Sequence, residues 1–148
     1  MRVHASILVQ RPIAAVFACL STPDHLPGWV ASLARADGPP RDELEVRATL
    51  ILQRAAALGH ARSTCEVIAY EPSRSLALRG LDGSAGVEVR WTLEGVPSGS
   101  TRVWVEADLE AASFFQPAAT DVAELGTRQL QADLQVLKRH LEAGEEAG

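Results

Sequence analysis

The chain has 148 residues, 47% of them apolar and 22% charged, a composition that builds one core and excludes both a disordered chain and a multi-module protein. Its formal net charge of −5 leaves no global basic field to hold nucleic acid or an anionic bilayer, and no apolar run approaches the ~20 residues of a membrane span. The first residues lack the apolar stretch of a secretion signal, so a cytoplasmic location is expected for a single domain over residues 1–148.

Cys19 and Cys65 are the only cysteines, each among apolar or small residues, which predicts two reduced, buried thiols. His4, His25, His60 and His140 stand far apart without metal-ligand spacing, so no metal is expected. Lys138 is the only lysine and sits near the chain end, a poor place for Schiff-base chemistry. There is no Gly-rich phosphate loop, Ser63 has no Gly-x-Ser-x-Gly context, and no cofactor is expected.

Along the chain, residues 3–9 alternate with Val3, Ala5, Ile7 and Val9 on one side, the period of a half-buried strand. Pro12 suits a first helical turn, and Ile13, Val16, Phe17 and Leu20 recur at helical spacing. Ser21-Thr22-Pro23-Asp24 stops that helix. Pro27-Gly28 then limits residues 23–30 to a second very short helix or turn ending at Trp29.

After Gly38-Pro39-Pro40 come strand-like runs at 44–53, 61–70, 75–82, 86–94 and 101–110. Leu58-Gly59, Glu71-Pro72-Ser73, Asp82-Gly83 and Pro97-Ser98-Gly99 separate them, all suitable hairpin chemistry. In 86–94, Val87, Val89, Trp91 and Leu93 alternate with Glu88, Arg90, Thr92 and Glu94; in 101–110, Val103, Val105, Ala107 and Leu109 do the same. Trp104 alone falls on the polar side.

After Pro117 the stripe Val122, Leu130, Leu134, Leu137 and Leu141 predicts a terminal helix of roughly 25 residues, ended by Gly144. The expected class is α+β: a curved antiparallel sheet of six to seven strands around a long C-terminal helix, with two short helices after the first strand. Such a sheet can leave an apolar hollow beneath the helix.

The opening ILVQRPIAAVFACLSTPDHLPGWV resembles the START-related SRPBCC superfamily, in which a strand, a proline, a Val-aromatic pair and a Pro-Asp precede a Trp. IAYEPSRSLALRG, VRWTLEGVPSGSTRVWVEADLE and LQADLQVLKRHLE resemble its later strands and closing helix. The resemblance covers nearly the whole chain, is specific as a set, and is closest to the polyketide cyclase/dehydrase-like branch. It implies the helix-grip fold with a deep cavity for a hydrophobic small molecule between sheet and helix.

By pattern, and in agreement with the cyclases, Val87, Val89, Trp91, Leu93, Val103 and Val105 face that hollow. Leu50, Leu52, Ile68 and Leu78 are expected to join them, with Trp29 at the mouth or capping the short helices.

For 61–70 the two lines of reading differ. Alternation turns Ala61, Ser63, Cys65, Val67 and Ala69 inward. The resemblance, aligned on Pro72, turns the even positions inward and makes Arg62, Glu66 and Tyr70 a catalytic trio. Glu66 would then move protons, Tyr70 hydrogen-bond an enolate and Arg62 hold a carbonyl or carboxylate. A one-residue slip decides between them. The chain departs from the aromatase/cyclases in carrying Tyr70 in place of a strand arginine, and Thr64 and Glu66 in place of paired tryptophans. Arg47 and Arg79 are expected outside.

Three functions are compatible with this reading. One is a polyketide cyclase/dehydrase-like enzyme acting by confinement with acid/base help. Another is a carrier or sensor of a lipid, isoprenoid or quinone. The last is a protein-interaction module marked by an exposed Trp104 beside Trp29. A monomer or homodimer is expected in each case.

Overall fold

The structure, a computed structural model, describes residues 2–30, 33–54, 61–80, 88–108 and 119–147. Strand β1 (Arg2–Val9) leads to helix α1 (Ile13–Leu20), a 3-10 turn (Pro23–His25) and the short α2 (Leu26–Trp29). The strands β2 (Leu33–Asp37), β3 (Thr49–Arg54), β4 (Ala61–Glu71), β5 (Ser75–Gly80), β6 (Glu88–Gly95) and β7 (Thr101–Asp108) follow, then helix α3 (Ala119–Ala147). They form one curled seven-stranded antiparallel sheet in the order β1-β7-β6-β5-β4-β3-β2. Among the described residues no helix is long and apolar enough to cross a membrane.

The period-2 pattern explains why this sheet has a dry face. Val3, Ala5, Ile7 and Val9 of β1 and Val103, Val105 and Ala107 of β7 are all buried, while Trp104 stands on the other face at 38% exposure. Inward residues meet in cross-strand rows: Tyr70 pairs with Leu76, Leu76 with Trp91, Trp91 with Val105 and Val105 with Ala5. The next row runs Val67, Leu78, Val89, Ala107, Val3. Leu134 and Leu137 of α3 close the core over these rows, with Leu130 and Leu141 half-buried beside them.

Two hairpins use the turn chemistry their sequences predict. At Glu71-Pro72-Ser73-Arg74 the Arg74 N–H donates to the Glu71 carbonyl, and Ser73 takes a φ of 58°. Between β6 and β7 the left-handed position falls on Gly99, at φ 85°, where no side chain resists it.

Three expectations are corrected. β2 has no counterpart among the predicted runs. The run 44–53 begins with a turn, in which the Ala48 N–H donates to the Glu45 carbonyl and Arg47 adopts φ 80°, so β3 starts only at Thr49. The terminal helix continues through Gly144 to Ala147. Asp133, three residues after Leu130 and four before Leu137, lies at the edge of the apolar stripe and is buried, its Oδ1 accepting from Gln129 Nε2 at 2.9 Å one turn earlier. The turns predicted at Leu58-Gly59 and Asp82-Gly83 lie outside the described residues.

β1 is an edge strand, and its even carbonyls point away from β7. α3 covers that edge with polar side chains from one flank. Lys138 Nζ donates to the Leu8 carbonyl at 2.9 Å, Gln131 Nε2 to the Ser6 carbonyl at a longer 3.4 Å, and Glu142 Oε2 accepts the Gln10 N–H at 2.9 Å. Lys138 and Glu142 also bond each other at 2.6 Å. Lys138, Gln131 and Glu142 thus meet edge backbone groups that would otherwise invite another strand.

Candidate functional site

The concave side of the sheet carries the candidate site, and two pairs of aromatic rings define it. Trp29, delivered by α2, is buried and meets Trp91 of β6 edge-on, ring centres 5.9 Å apart at 76°. Phe17 of α1 meets Tyr70 of β4 at 5.6 Å and 58°. These tilted arrangements suit the ring quadrupoles. Pro12 and the Thr101 hydroxyl, which donates to the Arg11 carbonyl at 2.8 Å, fix where α1 begins and so where Phe17 points.

Two polar groups stand in this apolar setting. The Tyr70 side chain is half-buried, packed against the core cluster. The indole N–H of Trp29 is buried and meets no hydrogen-bond partner among the described residues. A buried donor left unpaired costs about 1–3 kcal/mol, so such groups are rare in native proteins and mark places where something else belongs.

The register of β4 resolves the competing readings in an unexpected way. Cys65 and Val67 are buried, as alternation predicts, and Glu66 between them bonds Arg79 on the outer face at 3.4 Å. A bulge between Val67 and Ala69 then adds one residue, changing the parity so that Tyr70 turns inward beside Leu76. The expected inward trio is therefore corrected: Tyr70 faces the core, and Glu66 does not. Arg62 pairs with Gln53 in the ladder, and its side chain lies outside those described.

Among the expected lining residues, Trp29, Leu50, Leu78, Trp91, Leu93, Val103 and Val105 are buried in one contiguous cluster, with Leu52 and Val89 packed against it. Ile68 is half-buried at the bulge, and Val87 lies outside the described residues. Phe17, which the sequence presents as a member of a helix stripe and of the Val-aromatic pair but not as a lining residue, is the ring that faces Tyr70. The proposed joint surface of Trp104 and Trp29 is also corrected, since Trp29 is 2% exposed and Trp104 projects from the opposite side of the sheet.

Other candidate chemistries are constrained as well. Neither cysteine is in a disulfide and both are buried, and burial pushes the Cys19 thiol up to about 11, far from the thiolate a nucleophile needs. Arg47 and Arg79 are exposed, as expected. His60 lies outside the described residues. Among the described residues no group of three or more His, Cys, Asp or Glu side chains is arranged to hold a metal ion.

A family profile described as "Polyketide cyclase / dehydrase and lipid transport" matches residues 1–142 of this chain. Among solved structures, a START superfamily protein from Mycobacterium smegmatis is similar at TM-score 0.79 and 14% identity, over 96% of this chain and 97% of that one. The Zhui aromatase/cyclase from Streptomyces sp. R1128 is similar at TM-score 0.73 and 16% identity, over 96% of this chain and 93% of that one. The Aha1 dimer from Colwellia psychrerythraea is similar at TM-score 0.69 and 19% identity, over 97% and 98% of the two chains. At these identities the likeness concerns the fold. No curated protein sequence matches this chain.

Proposed function

The chain belongs to the polyketide cyclase / dehydrase and lipid transport family, and on that premise we propose that it binds an apolar small molecule bearing a carbonyl, between the sheet and α3, in the cytoplasm. The observation that carries this reading is the buried indole N–H of Trp29, which has no acceptor among the described residues. A ligand carbonyl is the acceptor this donor lacks, and the adjoining rings of Trp91, Phe17 and Tyr70 offer the flat apolar surface an unsaturated or polycyclic skeleton needs. The Tyr70 hydroxyl is a second neutral donor for such a molecule.

The two donors favour holding and polarising a carbonyl over transferring protons between paired acids and bases. Glu66, drawn to Arg79 on the other face, has no part in the proposed mechanism. This supports a carrier or sensor as the primary reading. A cyclase or dehydrase is the second reading, favoured by the inward turn of Tyr70: confinement of a flexible chain supplies orientation, and the phenol stabilises an enolate as it forms.

The experiment is mass spectrometry of small molecules retained by the protein when it is purified under native conditions from its own host. Recovery of a carbonyl-bearing apolar molecule that the Trp29→Phe protein no longer retains supports the binding reading. Conversion of that molecule by the intact protein, lost in Tyr70→Phe, raises the enzyme reading above it. Equal retention by the intact and Trp29→Phe proteins overturns the role given to the indole.

A further inference from the structure

A second concave site lies away from the aromatic interior. α1 buries Val16, Phe17 and Leu20 against the core. Its other side, the Pro23–His25 turn, the Arg41–Glu43 turn and the end of α3 border a groove of about 690 Å³. That lies within the ~300–1,000 Å³ of ordinary small-molecule sites.

Its floor is apolar and small, made by Ala15, Ala18, Cys19 and Leu141. Its rim carries three nitrogen-bearing basic side chains, Arg11, His25 and His140, against one carboxylate, Asp42. Thr22, also on the rim, gives its hydroxyl hydrogen to the Ala18 carbonyl at 2.7 Å and so turns only lone pairs outward. The donors of the groove therefore belong to the basic groups. Those three come from the segment just before α1, the turn after it and the last part of α3. No single helical period brings them together, and their convergence is a product of the tertiary fold.

We propose that this groove binds a small organic monoacid. Its apolar body lies on Ala15, Ala18 and Leu141, and its carboxylate lies among Arg11, His25 and His140, where an ionised acceptor makes the stronger, charge-assisted class of hydrogen bond. Asp42 repels a second acidic group and so selects against diacids. The site is separate from the interior one because α1 stands between them, with Phe17 on one side and Ala15 and Ala18 on the other.

The test uses 1-naphthaleneacetate and its uncharged amide as paired probes, followed by backbone amide NMR shifts of the full chain. The acid is expected to give saturable shifts at Ala15, Ala18 and Thr22. The amide should bind about tenfold more weakly, because it lacks the charge-assisted bonds. His25→Gln with His140→Gln, two exposed positions, should weaken the acid by a similar factor, and Ala15→Leu should block it by filling the floor. Shifts confined to β5, β6 and β7 would place the probe in the interior and overturn the proposal. Equal binding of acid and amide, or a double variant that binds like the parent, would overturn it as well. None of these outcomes depends on whether Trp29 engages a carbonyl.

Discussion

Tyr70 faces Phe17 because one extra residue in β4 reverses the side of the sheet to which Tyr70 belongs. Without the bulge between Val67 and Ala69, the ring would share the outer face with Glu66 and Arg79. Tyr70→Phe keeps the ring contact and should change the stability of the ligand-free protein by no more than about 1 kcal/mol, whereas Tyr70→Ala should cost about 2–3 kcal/mol. Urea unfolding of both variants measures the difference, and similar midpoints would contradict the ring's part in the core.

Glu66 and Arg79 form a partly exposed ion pair, with side-chain exposures of 28% and 54%. Such pairs contribute from nothing to about 1 kcal/mol. Glu66→Gln is accordingly expected to leave both thermal stability and retention of an interior ligand nearly unchanged. A large loss of ligand on this substitution would place the carboxylate in the site after all.

Glu142 has its carboxyl held below the ordinary glutamate value of 4.5, first by the Lys138 hydrogen bond, then by the Gln10 N–H and the Lys138 charge. A carboxyl depressed by folding binds fewer protons in the native than in the unfolded state, so its contribution is present above the unfolded value and is lost as pH falls through the folded one. Stability should therefore fall as the solution is acidified below 4.5, and Glu142→Gln should flatten that fall. Thermal melts of the two proteins from neutral to acidic pH test it, and parallel curves would count against the link.

Ser73 occupies a left-handed backbone position at φ 58° after Pro72, which glycine adopts without a Cβ penalty. Ser73→Gly should raise stability by up to about 1 kcal/mol, less the extra freedom glycine gives the unfolded chain. A lower melting temperature would show that the serine side chain supports the hairpin.

Cys19 should resist alkylation in the folded protein, since burial at 5% exposure and a thiol pushed up to about 11 both withhold the thiolate. Iodoacetamide should label it only as denaturant unfolds the chain. Rapid labelling in native buffer would reveal local opening around α1.

Much of the fold was legible because one wet and one dry face impose alternation. Val103, Val105 and Ala107 against Arg102, Glu106 and Asp108 read as a strand, with Trp104 the exception on the polar side. β2 was not legible, since among its described side chains only Ala36 is buried and a five-residue edge strand shows no usable period. The site was half legible. Trp91 stood out by strand alternation and Trp29 through the resemblance, and both are buried. The Tyr70 orientation was reached through a register that holds only beyond the bulge, and a bulge leaves no mark in side-chain chemistry. That the indole N–H of Trp29 has no acceptor among the described residues is a property of what surrounds it in three dimensions, which periodicity does not carry.

The neighbouring of β1 and β7, with α3 laid along the free edge of β1, also sets an order of events during synthesis. Among the described strands of this sheet β1 comes first in the chain, yet its ladder partner comes last, and the lysine and glutamate that cover its outer edge follow later still. Until then its valines and isoleucine have no sheet to join, and contacts between such distant parts of a chain form slowly. A nascent chain stalled before α3 would thus present an open strand to its neighbours, making this stretch the natural place for a chaperone to bind and for aggregation to begin.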